Sequence, residues 1–106
     1  MAPKTMSLDD LIGWLPLLTD EETEVRSRVG AFVRNDFLPR ITKDFEAGHF
    51  PEEVIPELVK LQVLGMNVQA EGCPGLGHVA YGLACHELEF GDSGLRSFAS
   101  VHTSLA

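Results

Sequence analysis

The sequence predicts an all-α protein, an antiparallel or orthogonal bundle of about five to six helices. Apolar residues recur at three- and four-residue intervals along most of the chain, which is the spacing of one face of a helix. No segment shows the sustained alternation of apolar and polar residues that indicates a half-buried strand. The chain has 106 residues, 44% of them hydrophobic, which is enough for one domain with its own core.

At the N-terminus we expect residues 1–17 to form a tail and a short helix, ahead of a main domain over residues 18–106. Residues 1–6 are predicted to be a disordered tail. Ser7 or Asp9 can cap the short helix, which should end near Pro16 because the residue before a proline avoids the helical region. Its apolar residues are Leu8, Leu11, Ile12 and Leu15.

The first long helix should begin after Thr19, because a hydroxyl followed three residues later by Glu22 is a capping box. We expect it to run to about Leu38 and to bury Val25, Val29, Phe32, Val33 and Phe37. Gly30 inside this helix costs roughly 1 kcal/mol relative to alanine, so it indicates close packing. Pro39 should bend or restart the helix, and Ile41 and Phe45 continue the inward face until Gly48.

A third helix is predicted between Pro51 and Gly65. Pro51 suits the first helical position, whereas Pro56 inside the helix would remove a hydrogen bond. The first turn should therefore be distorted, or the helix should start nearer Pro56. Its core residues are predicted to be Val54, Leu58, Leu61 and Leu64. A turn-rich loop over residues 71–77 follows.

The last 29 residues, His78–Ala106, read as two helices separated by a corner at residues 91–94. Asp92 or Ser93 can cap the second helix. The first is predicted to carry an apolar pattern of Val79, Leu83, Leu88 and Phe90, with Cys85 as a small core residue. The second carries an apolar stripe of Leu95, Phe98, Val101, His102 and Leu105, in which we expect His102 to be packed and hydrogen-bonded.

Arg96, Ser100 and Thr103 fall on one face of that second helix. A guanidinium beside two hydroxyls can receive an anion. The alternative is that an arginine in this position pairs with a nearby carboxylate or points into solvent.

Charge and composition exclude several classes of function. The net charge of −8 argues against a nucleic-acid partner and against attraction to an anionic membrane. No segment approaches the roughly 20 apolar residues of a membrane span, and the first residues lack the features of a signal or transit peptide. Two cysteines make no disulfide framework. We therefore expect a cytoplasmic protein.

Three local patterns resemble functional motifs without meeting their requirements. Residues 75–80 match the glycine pattern of dinucleotide sites, but a proline-containing loop precedes them where a strand is required. His86 and Glu87 begin a zinc-protease motif, but Phe90 occupies the position of its second histidine. The remaining histidines and cysteines lack ligand spacing, and no serine lies in a nucleophile elbow. We predict no metal site and no catalytic triad.

Five stretches, in order, resemble the N-terminal helical domain of the flavin-dependent acyl-CoA dehydrogenases, and most closely their glutaryl-CoA dehydrogenase branch. They are LTDEETEVRSRVGAFVRNDFLPR, GHFPEEVIPELVKLQVLGM, GCPGLG, ELEFGDSGLRS and SVHTSLA. The resemblance covers residues 18–106. It implies an oxidoreductase that uses FAD, acts on an acyl-CoA thioester, passes electrons to electron-transfer flavoprotein and assembles as a homotetramer.

The same resemblance assigns roles to four residues. In the glutaryl branch the arginine at the position of Arg96 receives the distal carboxylate of a dicarboxylic substrate. Ser97 and Ser100 are carried over as further substrate contacts, and Glu89 as the acidic partner that holds the arginine. The family's catalytic base is a glutamate in a C-terminal domain, so we predict no catalytic residue in this sequence. None of its glutamates at positions 52, 53, 57, 71 and 87 matches that base.

Two functions therefore remain in view at the level of the sequence. One is the N-terminal part of a glutaryl-CoA dehydrogenase-like enzyme, inactive alone, in which decarboxylation usually follows dehydrogenation. An apolar stripe that still runs at Leu105, with no capping residue after it, favours this truncated form. The other is a stand-alone helical module for protein interaction, derived from the same domain.

Overall fold

The computed structural model describes residues 7–105, and the regular structure in that range is helical throughout, as predicted. Six α-helices follow one another, with short 3₁₀ turns before α2 and α4 and a π turn before α3 and after α6. They are α1 (Leu8–Ile12), α2 (Asp20–Phe32), α3 (Leu38–Glu46), α4 (Ile55–Lys60), α5 (His78–Gly91) and α6 (Ser93–Ser100). The predicted tail over residues 1–6 lies outside the described residues.

Side-chain caps set the starts of α1 and α2, in agreement with the sequence. Ser7 Oγ accepts a hydrogen bond from the Asp10 amide at 3.1 Å. Thr19 and Glu22 form the predicted capping box, with bonds of 2.9 and 3.2 Å. Helix α1 ends at Gly13 rather than near Pro16, because Gly13 adopts a left-handed conformation with φ of 73°. A 3₁₀ turn, Leu15–Leu17, contains the proline.

The predicted long helix consists of α2, a π turn at Val33–Phe37, and α3. The ring of Pro39 would clash with the carbonyl four residues earlier in a regular helix, and the wider π turn relieves this conflict. All five predicted core residues of α2 and the π turn are buried.

The inward face predicted for α3 is wrong at Phe45, which is 81% exposed, while Ile41 is half-buried. Helix α3 makes its main contacts with the π turn before it rather than with another helix, so the side chain of Phe45 is left uncovered.

Helix α4 begins nearer Pro56, as the second alternative predicted, after a 3₁₀ turn at Glu52–Val54. Its predicted end at Gly65 is wrong. The helix stops at Lys60, and Gln62 takes the left-handed conformation with φ of 59°. This earlier turn lets Val63 and Met66 enter the core. Of the predicted core side chains, Val54 and Leu58 are buried, and Leu61 and Leu64 are half-buried.

Helix α5 lies at the centre of the fold and packs against both α2 and α6. Leu83 and Leu88 are buried as predicted, but Val79 and Phe90 are exposed. Besides these two leucines, the buried face contains the small residues Ala80 and Ala84 and the charged residue Glu87. Small side chains at Ala80 and Ala84 allow α2 to come close, and the predicted apolar pattern is wrong at Val79 and Phe90 only. Cys85 is half-buried rather than part of the core.

The apolar stripe of the last helix is only partly buried. Leu95 and Ala99 lie in the core and Phe98 is half-buried. Val101, His102 and Leu105 belong to the second π turn, Val101–Leu105, and are exposed. The expectation of a packed His102 is therefore wrong, because the π turn ends the regular spacing on which it depended.

One carboxylate is buried in this helical core. The side chain of Glu87 is 3% exposed and its Oε2 accepts a hydrogen bond from Arg34 Nη1 at 2.9 Å. Arg26 Nε lies 3.5 Å from the other oxygen. Arg26 belongs to α2 and Arg34 to the π turn after it, so the three charges join these two elements to α5. Sequence analysis did not identify this cluster.

Gly30 is the point where α2 comes closest to this ion pair. A Cβ there would lie 2.8 Å from Arg34 Nη1 and 3.1 Å from Glu87 Oε2. The close packing predicted for Gly30 is thus confirmed, although its neighbours are charged groups rather than apolar ones.

We expect Gly30→Ala to lower the free energy of unfolding by about 1–3 kcal/mol, because the added methyl group displaces the ion pair. Gly82→Ala is the matched control, since that helical glycine has open space around its Cβ position. The control should raise stability by about 0.5–1 kcal/mol through helix propensity. Denaturant unfolding of both variants measures the difference. A stabilised Gly30→Ala would contradict the packing described here.

Candidate functional site

The corner between α5 and α6 positions the candidate site. Asp92 is the N-cap of α6, and its Oδ2 accepts hydrogen bonds from the amides of Gly94 at 2.9 Å and Leu95 at 3.2 Å. Of the two caps that the sequence allowed, the structure uses Asp92. This cap sets where α6 begins and therefore which side chains of its first turn face α5.

Loss of the cap should weaken α6 without touching the core. We expect Asp92→Ala to cost about 1 kcal/mol of folding free energy, because two amides at the helix start lose their acceptor. Ser93→Ala, one residue later, removes an exposed hydroxyl and should change stability by less than about 0.5 kcal/mol. Thermal unfolding of the two variants compares them. Equal losses would show that Asp92 does not act as the cap.

Arg96 lies in the first turns of α6 and makes two side-chain contacts. Its Nε donates to Glu89 Oε2 of α5 at 2.8 Å, and its Nη1 donates to Ser100 Oγ at 3.1 Å. The hydrogen bond that Arg96 donates to the Glu89 carboxylate raises the pKa of Arg96. Ser100 Oγ in turn donates to the carbonyl of Ser97 at 3.2 Å. Three of the four residues singled out from the sequence thus touch one another through side chains.

The guanidinium retains donor capacity toward solvent. The Arg96 side chain is 37% exposed, and within residues 7–105 its Nη2 has no hydrogen-bond acceptor. Glu89 holds the guanidinium from one edge, while the edge that carries Nη2 stays open. A planar guanidinium held in this way can offer a paired contact to a carboxylate or phosphate from solution.

Ser97 belongs to a neighbouring face of α6 and lines a different feature. That feature is an apolar groove of about 500 Å³, formed by Phe50, Gly94, Ser97, Phe98, Val101 and His102. The rings of Phe50 and Phe98 pack at 5.6 Å between centroids. Ser97 therefore connects the polar edge at Arg96 with an apolar groove, which is a combination suited to a ligand that has a charged end and a hydrocarbon part.

Polar residues continue along the α5–α6 contact on the other side of Arg96. Tyr81, Cys85 and Glu89 recur every four residues on α5. Tyr81 Oη lies 3.1 Å from Ser104 Oγ, and burial raises the pKa of both the Tyr81 phenol and the Cys85 thiol. Sequence analysis missed this row, although the four-residue spacing was available as a signal.

Thr103 does not share the face of Arg96, contrary to the expectation. Its Oγ1 accepts a hydrogen bond from the Gly65 amide at 3.0 Å and lies 3.5 Å from the Val63 carbonyl. The turn after α4 leaves these backbone groups without helical partners, and Thr103 satisfies them. Its role in the structure is to hold the second π turn to that loop.

A separate polar cluster at the start of α4 was not foreseen. Asp44, His49 and Glu53 bring their potential ligand atoms within 4.8 Å of one another. Arg40 forms ion pairs with both Asp44 and Glu53, so the cluster already holds a positive charge.

The glycine pattern at residues 75–80 places Gly77 at the N-cap of α5, and no strand precedes it within residues 7–105. The dinucleotide motif therefore lacks its required context.

Hydropathy adds one further observation. In the portion of the chain that the structure covers, none of the helices combines the length and the apolar character needed to cross a membrane.

Comparison with known proteins places the geometry in a family. Residues 19–106 match the family described as acyl-CoA dehydrogenase, N-terminal domain. A solved glutaryl-CoA dehydrogenase from Mycobacterium smegmatis is similar at 48% identity and a TM-score of 0.81, over 88% of this chain and 24% of that chain. A glutaryl-CoA dehydrogenase from the same organism in complex with FADH2 matches at 43% identity and a TM-score of 0.81, over 85% and 23% of the two chains. The chain spans about a quarter of the length of these solved proteins.

Proposed function

The chain belongs to the acyl-CoA dehydrogenase family, and from this premise we propose that it is the N-terminal part of a glutaryl-CoA dehydrogenase-like enzyme. The proposed reaction is α,β-dehydrogenation of a dicarboxylic acyl-CoA thioester, followed by loss of carbon dioxide. In this proposal the 106 residues bind and orient the acyl group and are inactive alone. The observation that carries it is the arrangement around Arg96.

Arg96 is proposed to bind the distal carboxylate of the substrate. Glu89 holds the Nε edge of the guanidinium, so the side chain is fixed in place before a ligand arrives. The open Nη2 and the Nη1 that now bonds Ser100 can then face the carboxylate together, in the fork geometry that arginine offers. Neutral acyl chains gain nothing from this contact, so it favours dicarboxylic thioesters over monocarboxylic ones.

Ser97, Ser100 and the apolar groove complete the proposed acyl site. Ser100 can donate to the carboxylate when it releases the Ser97 carbonyl. The methylene groups between the carboxylate and the thioester would lie along the groove beside Phe98 and Val101, where they lose contact with water. Positioning of this kind is the contribution that a protein makes when a cofactor carries out the redox chemistry.

FAD is the proposed cofactor, because one of the similar structures is in complex with FADH2. The residues described here do not by themselves fit a flavin. The glycine pattern at residues 75–80 follows a loop, and no other cradle for a pyrophosphate is formed within residues 7–105. We propose that the flavin and the catalytic base are held by segments outside these 106 residues. Electron-transfer flavoprotein as acceptor, a homotetramer and a cytoplasmic location are further parts of the proposal.

The proposal is tested with the complete enzyme that contains this chain. Purified with FAD, it should reduce an artificial electron acceptor with glutaryl-CoA as substrate and release carbon dioxide. Its kcat/KM for glutaryl-CoA should exceed that for butyryl-CoA, which has the same alkyl carbons after the thioester but a hydrogen in place of the distal carboxylate. A preference for butyryl-CoA would exclude the proposed role of this site.

A second candidate function is supported by exposed apolar side chains. Phe45 is exposed beside the corner of α5 and α6, and Val101 and Leu105 are exposed on the π turn after α6. Such a surface suits an independent helical module that binds another protein. Reading the coding sequence past codon 106 distinguishes the two: a following β domain and helical domain support the enzyme, and a stop codon supports the module.

A further inference from the structure

Residues 7–18, which we call the N-terminal strap, contribute almost nothing to the hydrophobic core. Neither α1 nor the following 3₁₀ turn has a buried residue. Four of their large apolar side chains are exposed, namely Leu8, Leu11, Ile12 and Leu17. Burial of apolar surface is the main force that holds segments together in folded proteins. The strap must therefore be held in place by other contacts.

Polar and aromatic contacts among Asp9, Trp14, Arg26 and His86, which we call the polar lock, hold the strap in place. Asp9 Oδ2 accepts a hydrogen bond from Arg26 Nη2 of α2 at 2.6 Å. Its Oδ1 accepts one from Trp14 Nε1 at 2.9 Å, which closes the strap on itself. Arg26 lies 5.9 Å from the centre of the Trp14 ring, and the ring of His86 meets Trp14 edge-on at 6.0 Å.

The rest of the domain begins independently of the strap. Thr19 and Glu22 cap α2 from within, and the first buried side chain is Val25. Arg26 also has a second anionic neighbour in Glu87, so it stays paired when Asp9 leaves. The family match begins at residue 19, directly after the strap. The strap thus lies before the residues that match the family's domain and outside the buried core.

We propose that the N-terminal strap is a releasable element, which closes on α2 and α5 through Asp9, Trp14 and Arg26 and opens without unfolding the domain. Opening breaks the Asp9–Arg26 ion pair and withdraws the indole from Arg26 and His86. The surface uncovered by opening carries Arg26, His86 and the rim of the buried Glu87. Closure depends on one charge pair and one aromatic contact, so small changes in this lock shift the balance between the two states.

Trp14 makes the proposal directly measurable, because it is the single tryptophan of the chain. Asp9→Asn removes the charge and keeps the size of the side chain. We expect the closed-to-open ratio to fall about tenfold, which is the effect of losing one charge-assisted contact. The tryptophan emission should shift to the red and its quenching by acrylamide should increase. Far-UV circular dichroism and the unfolding midpoint of the domain should stay close to those of the unaltered chain.

Asp10→Asn is the matched control, because it removes the same charge from the same helix. The Asp10 carboxylate contacts the backbone of Ser7 and makes no contact with α2. The control should leave the tryptophan signal unchanged, and equal release by both variants would overturn the proposal. A second variant lacking residues 1–18 should still unfold cooperatively with the helical content of the domain. Loss of the folded state in that variant would also overturn the proposal, since the strap would then be integral.

Discussion

Replacement of Arg96 by alanine in the complete enzyme is expected to lower kcat/KM for glutaryl-CoA by about two to three orders of magnitude. We expect the complete enzyme to exclude water from this site when substrate is bound, so the substrate carboxylate would lose its charged partner without a compensating contact. Thioesters of uncharged short acids make no use of the guanidinium, so their kcat/KM should change less than about tenfold. Steady-state assays with both substrates measure the two effects separately.

Two further variants sharpen this test. Arg96→Lys should recover only part of the loss, because an ammonium group cannot reproduce the two-pronged contact of a guanidinium. Arg40→Ala is a matched control: Arg40 is exposed to a similar degree and also forms ion pairs, but it lies on α3. Its removal should leave both activities unchanged. An equal drop for charged and uncharged substrates in Arg96→Ala would reduce Arg96 to a structural partner of Glu89.

Removing both arginines from around Glu87 is expected to cost about 3–5 kcal/mol of folding free energy, because the carboxylate then stays buried without a counter-charge. The relevant variant is Arg26→Met combined with Arg34→Met. Glu87→Met should cost less, about 1–2 kcal/mol, because the arginine side chains are 24% and 49% exposed and the charges they retain can be hydrated. The two losses of folding free energy differ because Glu87 is buried, whereas Arg26 and Arg34 are partly exposed.

The triple variant gives the decisive comparison. With Glu87, Arg26 and Arg34 all replaced by methionine, no charge remains buried, and most of the loss of the double variant should be regained. Urea unfolding of the four proteins yields the coupling energy directly. If the double variant is no less stable than Glu87→Met, the carboxylate does not depend on the arginines and the cluster has no stabilising role.

Features that depend on neighbouring residues were predictable from the sequence. The Thr19 capping box and the Asp92 cap involve side chains and amides two or three residues apart, and both are present. The apolar face from Val25 to Phe32 was also predicted, because it lies on one helix with regular spacing, and Val33 and Phe37 continue it in the π turn.

Features that depend on what lies opposite in space were not predictable. Phe45, Val79 and Phe90 have the spacing of core residues, yet no spacing indicates whether another helix covers them. The burial of Glu87 depends on Arg34, which is 53 residues away in the chain. Gly65 does have a positive φ of 68°, but α4 has already ended before Gln62, which has a φ of 59°, and the residues between them include the buried Val63.

The contacts around Arg96 lie between these extremes. Its bond to Ser100 spans one turn of the same helix and follows from the spacing. Its bond to Glu89 crosses the corner between α5 and α6, and the proposed partnership of these residues came from the family resemblance rather than from helical periodicity. The pairing of Arg96 with Glu89 could therefore be predicted from the family's motif, but not from the helical periodicity of this sequence.

The π turn at Val33–Phe37 also bears on how this segment can change over evolution. A π turn holds one residue more than the helix around it, so it corresponds to a single-residue insertion that the fold has retained. Deleting one residue there would rotate everything after it by about 100°, the angle per residue of an α-helix. Relatives with one residue fewer in this stretch would then present Phe45 and the rest of α3 toward a different neighbour. Alignments of the family should accordingly place a gap of one residue within 33–37 rather than at the loop after α3.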